Sequence, residues 1–333
     1  MQLRPLVLAV ALFAGLGAGA AQDPLPAWND GAAKQAILSF VKAATDSSSP
    51  QYVEPANRIA TFDQDGTLWV EHPFYTELEF TLDRVAELAP QHPAWKTQLP
   101  YSAVLARDKA AMAKFTTKDL EALVVATHTG MSVDAFHAAV KAWIAKAKDP
   151  RWHRPYTSLT YEPMLEAMRY LRANGFRTYI VTGGGQEFVR VFAQAVYGVP
   201  PDQVIGSAGQ TQFEDKNGQA TLMKTPKLLL NDNLSGKPED IYLFIGKRPA
   251  AAFGNSDGDR QMLEYTQKTG GGGLMMLVLH DDAQREYAYG PATGLPDSKI
   301  GTFPQSLYDE AKLRGWTVIS MRRDWKRIFS WNE

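Results

Sequence analysis

Two aspartates stand one residue apart, directly after a short run of apolar residues. The stretch from Arg58 to Leu68 reads RIATFDQDGTL, so Asp63 and Asp65 follow the apolar run and precede a glycine and a threonine. Carboxylates with this spacing at the end of a strand point in different directions, so one can face a bound phosphorus while the other reaches the leaving oxygen. The pattern indicates a nucleophile and an acid. A solvated turn and a calcium loop are the alternatives, and Leu68 disfavours the calcium loop because that loop needs glycine at this sixth position.

A threonine followed by three glycines, together with a lysine, could complete a phosphate site. Thr182 precedes Gly183, Gly184 and Gly185 at the end of a second predicted strand. A hydroxyl group and exposed backbone amides form a natural cradle for phosphate there, although glycines also occur in ordinary strand-to-helix turns. Lys237, near the start of a predicted helix, is either the cation that this chemistry needs or a solvated surface lysine.

A third predicted strand ends in a run of oxygen-bearing side chains. Asn255, Asp257 and Asp259 lie within the sequence GNSDGD. Amide and carboxylate oxygens on a tight turn suit a hard cation such as Mg²⁺, and the alternative is an acidic loop in which Asp259 caps a helix. Parallel strands gather ligands at their carboxyl ends, so we expect these motifs to lie together.

The elements around these motifs predict an α/β fold, with a Rossmann-like parallel sheet core and an inserted α-helical cap. Helical and strand patterns alternate through the second half of the chain, which is typical of a parallel sheet with crossover helices. Residues 74–163 have helical patterns without a convincing strand and are interpreted as the cap. The core then comprises residues 22–73 and 164–333. Within it, the pair Asn217-Gly218 predicts a β-hairpin.

The N-terminus and the composition limit where the protein acts and what it binds. Arg4 precedes an apolar run that ends in small residues, so residues 1–21 are predicted to be a signal peptide cleaved near Ala20 or Ala21; a membrane anchor is the alternative. The sequence contains no cysteine for lipid attachment, disulfides or metal binding. A formal net charge of −1 gives no basic field for nucleic acid. We expect a periplasmic or secreted protein with no stable membrane anchor and no nucleic-acid partner.

Taken together, the motifs resemble those of the haloacid dehalogenase superfamily, specifically its phosphoserine phosphatase-like branch, which has a helical cap. The likeness covers most of the chain. It implies that Asp63 is the nucleophile and that Asp65 is the general acid and base. It also implies that Thr182, Gly183 and Lys237 bind phosphate.

The resemblance further implies Mg²⁺ as the cofactor. The implied ligands are Asp63, Asp65 through its main-chain oxygen, Asn255 and Asp259, with Asp257 as an alternative. Relatives usually carry an aspartate where this chain has Asn255, so one negative charge is missing at the implied metal site. We therefore expect weaker metal binding, or a contribution from Asp257.

The function implied by this resemblance is that of a secreted, Mg²⁺-dependent phosphomonoester hydrolase that forms an aspartyl-phosphate intermediate. Its substrate would be a small phosphorylated metabolite, of phosphoserine type or drawn from a broad range. Glu71 falls near the position of a substrate-binding glutamate in phosphoserine phosphatases; it either meets an ammonium group or is an exposed carboxylate before a helix. The alternatives are a phosphocholine or phosphoethanolamine phosphatase, and a phosphate-ester-binding protein that has lost turnover because of Asn255.

Overall fold

The computed structural model describes residues 23–267 and 272–332. The predicted signal peptide, residues 1–21, lies outside these ranges and stays a prediction. None of the helices within the described ranges has the length and hydropathy needed to span a bilayer.

One sheet forms the centre of the described part of the chain. Its seven strands are β1 (Ile59–Phe62), β2 (Arg177–Gly185), β3 (Val204–Lys216), β4 (Gln219–Leu230), β5 (Ala251–Gly254), β6 (Leu274–Leu279) and β7 (Thr317–Ser320). They are arranged in the order β4-β3-β2-β1-β5-β6-β7. Neighbouring strands are parallel except for β3 and β4, which pair in antiparallel orientation.

Helices precede, separate and follow these strands. Those of the described ranges are α1 (Ala32–Thr45), α2 (Thr76–Leu88), α3 (Tyr101–Leu105), α4 (Lys109–Met112), α5 (Thr117–His128), α6 (Val133–Ile144), α7 (Glu162–Ala173), α8 (Gln186–Arg190), α9 (Ala193–Tyr197), α10 (Gly236–Ile245), α11 (Arg260–Thr266), α12 (Gln305–Arg314) and α13 (Met321–Asp324). From α7 onward helices and strands alternate, as the sequence predicts, except for the consecutive helices α8 and α9 and the β3–β4 hairpin.

The sheet is apolar on both faces because helices cover both. In β6, Met276 and Val278 belong to one buried cluster, which also contains Ile37 of α1. Leu277, between them, belongs to a second cluster on the other face, together with Leu307 of α12. Successive side chains of a strand point to opposite faces, so a strand covered on both sides is apolar throughout. The predicted α/β fold with a Rossmann-like sheet is confirmed.

Helices α2–α6, which we call the helical insertion, lie between β1 and β2 in the chain, and the described residues there contain no strand. The insertion has a small apolar core of its own, which includes Val85, Trp95 and Leu123. Phe136 of α6 packs instead into the larger core beside the sheet, which ties the insertion to it. The predicted cap boundaries at residues 74 and 163 stay a prediction.

The predicted hairpin is present as β3 and β4. Asn217 and Gly218 form its turn with φ angles of 58° and 80°, the left-handed conformations that a two-residue type I′ turn requires. The hairpin also contacts the helical insertion, because the N–H of Lys224 donates to the carbonyl of Met131 at 2.9 Å. The N–H of Gly130 returns a bond of 3.0 Å to the carbonyl of Lys224. A cleft between the hairpin and the insertion results.

Candidate active site

The carboxyl ends of β1, β2 and β5 meet at one pocket of about 420 Å³. The predicted site residues that line it are Asp63, Asp65, Glu71, Thr182, Gly183, Lys237 and Asp259. Asn255 is buried and in contact with Glu71, one of these lining residues. The parallel sheet therefore assembles three of the sequence motifs and Lys237 at the edge where ligands are expected to bind.

Gly66 allows the loop after β1 to pass close to the end of β5. The N–H of Asp63 donates to the carbonyl of Phe253 at 2.9 Å, which fixes the start of the loop against β5. Gly66 then adopts a φ of +72°, and a Cβ atom there would lie 2.1 Å from Nδ2 of Asn255 and 2.3 Å from Oε1 of Glu71. Any other residue at this position would clash with two side chains of the candidate site.

Lys237 is a buried cation between two carboxylates. Its Nζ lies 2.6 Å from Oδ1 of Asp63, 2.7 Å from Oδ1 of Asp259 and 2.8 Å from the carbonyl oxygen of Val181. The side chain is 2% exposed, so the alternative of a solvated surface lysine is wrong. Burial alone would lower the pKa of Lys237, but the charges of Asp259 and Asp63 outweigh it and raise that pKa. Lys237 thus orients one oxygen of the predicted nucleophile.

Asp259 binds protein groups with both of its carboxylate oxygens. Oδ1 accepts from Lys237, and Oδ2 accepts from the N–H groups of Asn255 and Ser256, each at 3.0 Å. In this structure the carboxylate of Asp259 therefore holds both the lysine and the loop after β5; its predicted role as a metal ligand stays a prediction. Asp257, the alternative ligand, is 44% exposed and pairs with Arg260 at 2.7 Å, so the structure does not bring it together with Asp63.

Asp65 lies in the pocket with its carboxyl group partly held by an indole. Nε1 of Trp69 donates to Oδ1 at 2.7 Å. Burial raises the pKa of Asp65 to about 7, against the opposing effect of this hydrogen bond. A carboxyl group with a pKa near neutrality can both give and take a proton, which is what a general acid and base must do. Trp69 follows Asp65 by only four residues, yet no sequence pattern singles it out.

The three glycines after Thr182 continue β2 instead of leaving it, since β2 ends at Gly185. The N–H of Gly184 donates to Oγ1 of Thr182 at 3.1 Å, and the N–H of Gly185 donates to Oε2 of Glu77 at 2.6 Å. Two of the expected phosphate-binding amides therefore already have acceptors. Thr182 and Gly183 keep their predicted place in the pocket wall.

Asn255 directs an oxygen towards the nucleophile. Its Nδ2 donates to Oε1 of Glu71 at 2.7 Å, so its Oδ1 points away from Glu71. Oγ1 of Thr67 lies 3.1 Å from that Oδ1 and 3.2 Å from Oδ2 of Asp63, so both oxygens adjoin a single hydroxyl group. Amide, carboxylate and main-chain oxygens are the ligands that Mg²⁺ prefers. The chemistry of this donor set fits the implied ion, although no three acidic or imidazole side chains of the described residues form a ready metal cluster.

Glu71 is buried, so the alternative of an exposed carboxylate is wrong. It is 2% exposed, and its Oε1 accepts from the hydroxyl of Tyr289 at 2.7 Å as well as from Asn255. Burial raises the pKa of Glu71 well above its usual range. Tyr289 is 218 residues from Glu71 in the sequence, and no local pattern pointed to it.

His280, directly after β6, contacts the loop after β1 that carries Asp63. Nε2 of His280 donates to the carbonyl of Gly66 at 2.8 Å, and Nδ1 lies 3.1 Å from Oε2 of the buried Glu286. Asp281 accepts from the N–H of Arg322 at 2.9 Å, and Asp282 pairs with Arg285. The two aspartates are therefore structural, whereas His280 positions the loop that carries Asp63.

The chain matches a protein-family model and is similar to several solved structures. A family model described as haloacid dehalogenase-like hydrolase matches residues 60–264. No curated protein matches the chain. The chain is similar to the solved structures of two proteins of unknown function, one from Anaerococcus prevotii DSM 20548 and one from Bordetella pertussis Tohama I. It is also similar to that of a phosphoserine phosphohydrolase-like protein from Francisella tularensis subsp. tularensis SCHU S4.

Sequence identity to these three is 16%, 17% and 19%, with TM-scores of 0.46, 0.45 and 0.37. The matches cover 75%, 79% and 67% of this chain and 86%, 98% and 88% of theirs. The family model alone covers more than half of the chain and includes the motifs at Asp63, Thr182, Lys237 and Asn255. The predicted superfamily membership and hydrolase class are confirmed, and the protein belongs to the haloacid dehalogenase-like hydrolases.

Proposed function

We propose that this hydrolase is a Mg²⁺-dependent phosphomonoesterase that works through an aspartyl-phosphate at Asp63. The observation that carries the proposal is the pairing of two differently held carboxyl groups in one pocket. Oδ1 of Asp63 is fixed by the buried ammonium group of Lys237, whereas Oδ1 of Asp65 accepts from the indole N–H of Trp69. One group is suited to attack and the other to proton transfer.

The proposed reaction has two steps. An oxygen of Asp63 attacks phosphorus, the bond from phosphorus to the ester oxygen breaks, and Asp65 gives its proton to the departing alkoxide. Asp65 then takes a proton from a water molecule, whose oxygen attacks phosphorus and releases Asp63 and inorganic phosphate. Lys237 orients the carboxyl group of Asp63 in both steps, first as the nucleophile and then as the leaving group.

The residues that would hold Mg²⁺ are Asp63, the main-chain oxygen of Asp65 and Asn255. Bound there, the ion supplies positive charge that lets the carboxylate of Asp63 and an anionic phosphate come together. A phosphate-release assay tests the proposal directly, with and without a chelator. Its substrates are phosphoserine, phosphocholine, phosphoethanolamine, sugar phosphates, nucleotides and p-nitrophenyl phosphate. Binding of an ester without phosphate release at any divalent metal would instead support the phosphate-ester-binding protein.

Secretion is proposed on the sequence of residues 1–21 alone. Sequencing the N-terminus of the mature protein tests it, with a start directly after Ala20 or Ala21 as the expected result.

Asp65→Asn is expected to separate the two chemical steps. An alkoxide needs a proton to leave, so turnover of an alkyl phosphate should fall by about 10²- to 10⁴-fold. A p-nitrophenolate leaves without one, so this variant should still release about one equivalent of p-nitrophenol per enzyme quickly and then turn over slowly. Rapid-quench kinetics measures both phases. Equal losses for the two substrates, with no initial burst, would show that Asp65 is not the acid.

The contact between Asn255 and Glu71 predicts a coupled substitution. Asn255→Asp removes the amide donor to Oε1 of Glu71 and sets a second carboxyl group at hydrogen-bonding distance from it, so the free energy of unfolding should fall by about 1–3 kcal/mol. Adding Glu71→Gln restores an amide donor and should recover that stability. The double variant also carries an aspartate at the family's usual position, so it should bind Mg²⁺ more tightly than the wild type.

Urea unfolding and calorimetric titration with Mg²⁺ measure these two effects. Asp257→Asn is the matched control, because its carboxylate pairs with Arg260 outside the pocket, and it should change neither quantity by more than experimental error. If the double variant were less stable than Asn255→Asp alone, the two side chains would not be coupled as their contact indicates.

A further inference from the structure

A groove of about 520 Å³ continues from the catalytic pocket into the cleft between α5 and the β3–β4 hairpin. The two cavities share Glu77, Leu120, Val124, Gly183 and Gly184 in their walls. A molecule anchored at Asp63 can therefore extend into the groove without leaving protein contact. Its volume lies in the range that small-molecule sites usually have.

Helix α5 is apolar on two faces, although only one of them is packed. Leu123 is fully buried in the small core of the helical insertion. Leu120 and Val124 face the groove and are 39% and 44% exposed. A surface helix normally turns polar residues to its open side. Across the groove, Leu228 of β4 is 63% exposed, so both walls present apolar surface to solvent.

The charges near the phosphate position disfavour a substrate whose alcohol carries a carboxylate. Among the described residues that line the catalytic pocket, Lys237 is the only one with a cationic side chain, and its three N–H groups already have acceptors. Burying a carboxylate without a cationic partner is costly. Lys224 and Lys227 line the groove but not the catalytic pocket, and the ammonium group of Lys224 lies over the ring of Phe136 at 4.4 Å.

The acidic side chains of the pocket are also engaged by the protein. Oε1 of Glu71 accepts from Asn255 and Tyr289. Oε2 of Glu77 accepts from the N–H of Gly185. Apart from the exposed Glu121 and Lys227 in its walls, the groove therefore offers mainly apolar surface to the part of a substrate beyond its phosphate.

We propose that the substrate is the phosphomonoester of an apolar alcohol, whose chain or ring lies in this groove against Leu120, Val124 and Leu228. The proposal rests on the phosphatase function proposed above and names the substrate class for the same site. An apolar alcohol gains free energy by covering these side chains, whereas an amino-acid alcohol such as serine would place its carboxylate beside Glu71 and Glu77.

A series of n-alkyl monophosphates from ethyl to octyl tests the proposal, used below the concentrations at which they form micelles. Each methylene group fully removed from water is worth about three- to fourfold in kcat/KM. With only half of the added surface buried, kcat/KM should still rise about 30- to 60-fold from ethyl to octyl phosphate. Phosphoserine should be a poorer substrate than butyl phosphate. Equal values for ethyl and octyl phosphate would overturn the proposal.

Two neighbouring leucines of β4 provide a matched pair of variants. Leu228 and Leu229 are 63% and 62% exposed, but only Leu228 lines the groove. Leu228→Gln should lower kcat/KM for octyl phosphate at least about threefold more than it lowers kcat/KM for ethyl phosphate. Leu229→Gln should affect neither substrate. If the two substitutions had indistinguishable effects, the groove would not take part in substrate binding.

Binding of n-alkyl phosphonates separates failure of this proposal from failure of the phosphatase function. If no ester in the series, nor p-nitrophenyl phosphate, is hydrolysed, the phosphatase function is wrong. Calorimetry can then still compare octylphosphonate with ethylphosphonate on the wild-type protein. Tighter binding of the octyl compound, weakened by Leu228→Gln, supports the apolar site, and equal binding contradicts it.

Discussion

Asp63→Asn is expected to reduce phosphate release by at least about 10⁴-fold, because an amide cannot attack phosphorus to form the proposed covalent intermediate. The substitution also replaces the carboxylate oxygen that lies 2.6 Å from Lys237. The measurement is kcat with p-nitrophenyl phosphate in the presence of Mg²⁺. Mass spectrometry of acid-quenched protein should detect a phosphorylated wild-type chain and an unmodified variant.

Asp202→Asn is a suitable control for this result, because Asp202 is exposed in the short turn before β3 and far along the chain from every site motif. It should retain wild-type turnover. Lys237 keeps Asp259 as a partner in the Asp63→Asn variant, so the variant should fold, which circular dichroism checks. Activity within tenfold of the wild type would show that another group attacks the substrate.

The order of motifs along the chain was sufficient to predict where the active site lies. Asp63, Thr182 and Asn255 are far apart in the sequence. Asp63 and Asn255 directly follow the parallel strands β1 and β5, and Thr182 comes two residues after the last residue of β2 that pairs with β1. Parallel pairing places such ends at one edge of the sheet, whatever the length of the connections. Once the strands are predicted from the sequence, it therefore also follows that the residues at their carboxyl ends lie close together.

The contacts within the site could not be predicted in the same way. Glu71 meets Asn255 and Tyr289 across 184 and 218 residues, and no sequence pattern pairs Glu71 with either of them. Such contacts depend on the paths of loops, which periodicity does not describe. Asp259 illustrates the same limit, because its residue type suits a metal ligand while its position directs both oxygens to protein donors.

Helix α5 shows why a groove is hard to recognise in a sequence. Leu120, Leu123 and Val124 are all apolar and look alike as core positions, yet only Leu123 is buried. The distinction arises because the β3–β4 hairpin reaches the helical insertion at Lys224 and leaves a cleft beside α5. Leu120 and Val124 are exposed because of how the hairpin meets the helical insertion, and these two segments are distant in the sequence. Exposed apolar surface of this kind often marks a binding site.

Lys237→Met is expected to reduce both stability and turnover, because it leaves Asp63 and Asp259 buried without their shared cation. Removing one partner of a buried ion pair typically costs about 3–5 kcal/mol in the free energy of unfolding. Loss of the charge that orients the nucleophile should lower kcat by about 10³-fold. Urea unfolding and steady-state kinetics measure the two effects. Lys247→Met is the matched control, since Lys247 is exposed and donates only to the carbonyl of Ala56.

The double variant Lys237→Met with Asp259→Asn distinguishes a catalytic contribution of the lysine from a purely structural one. Neutralising Asp259 removes one of the two unpaired carboxylates, so the double variant should be more stable than Lys237→Met alone. The oxygen of Asp63 would still lack the ammonium group that orients it, so kcat should stay low. If turnover recovered together with stability, Lys237 would act only by neutralising charge within the fold, and the geometry of its bond to Asp63 would have no separate part in the reaction.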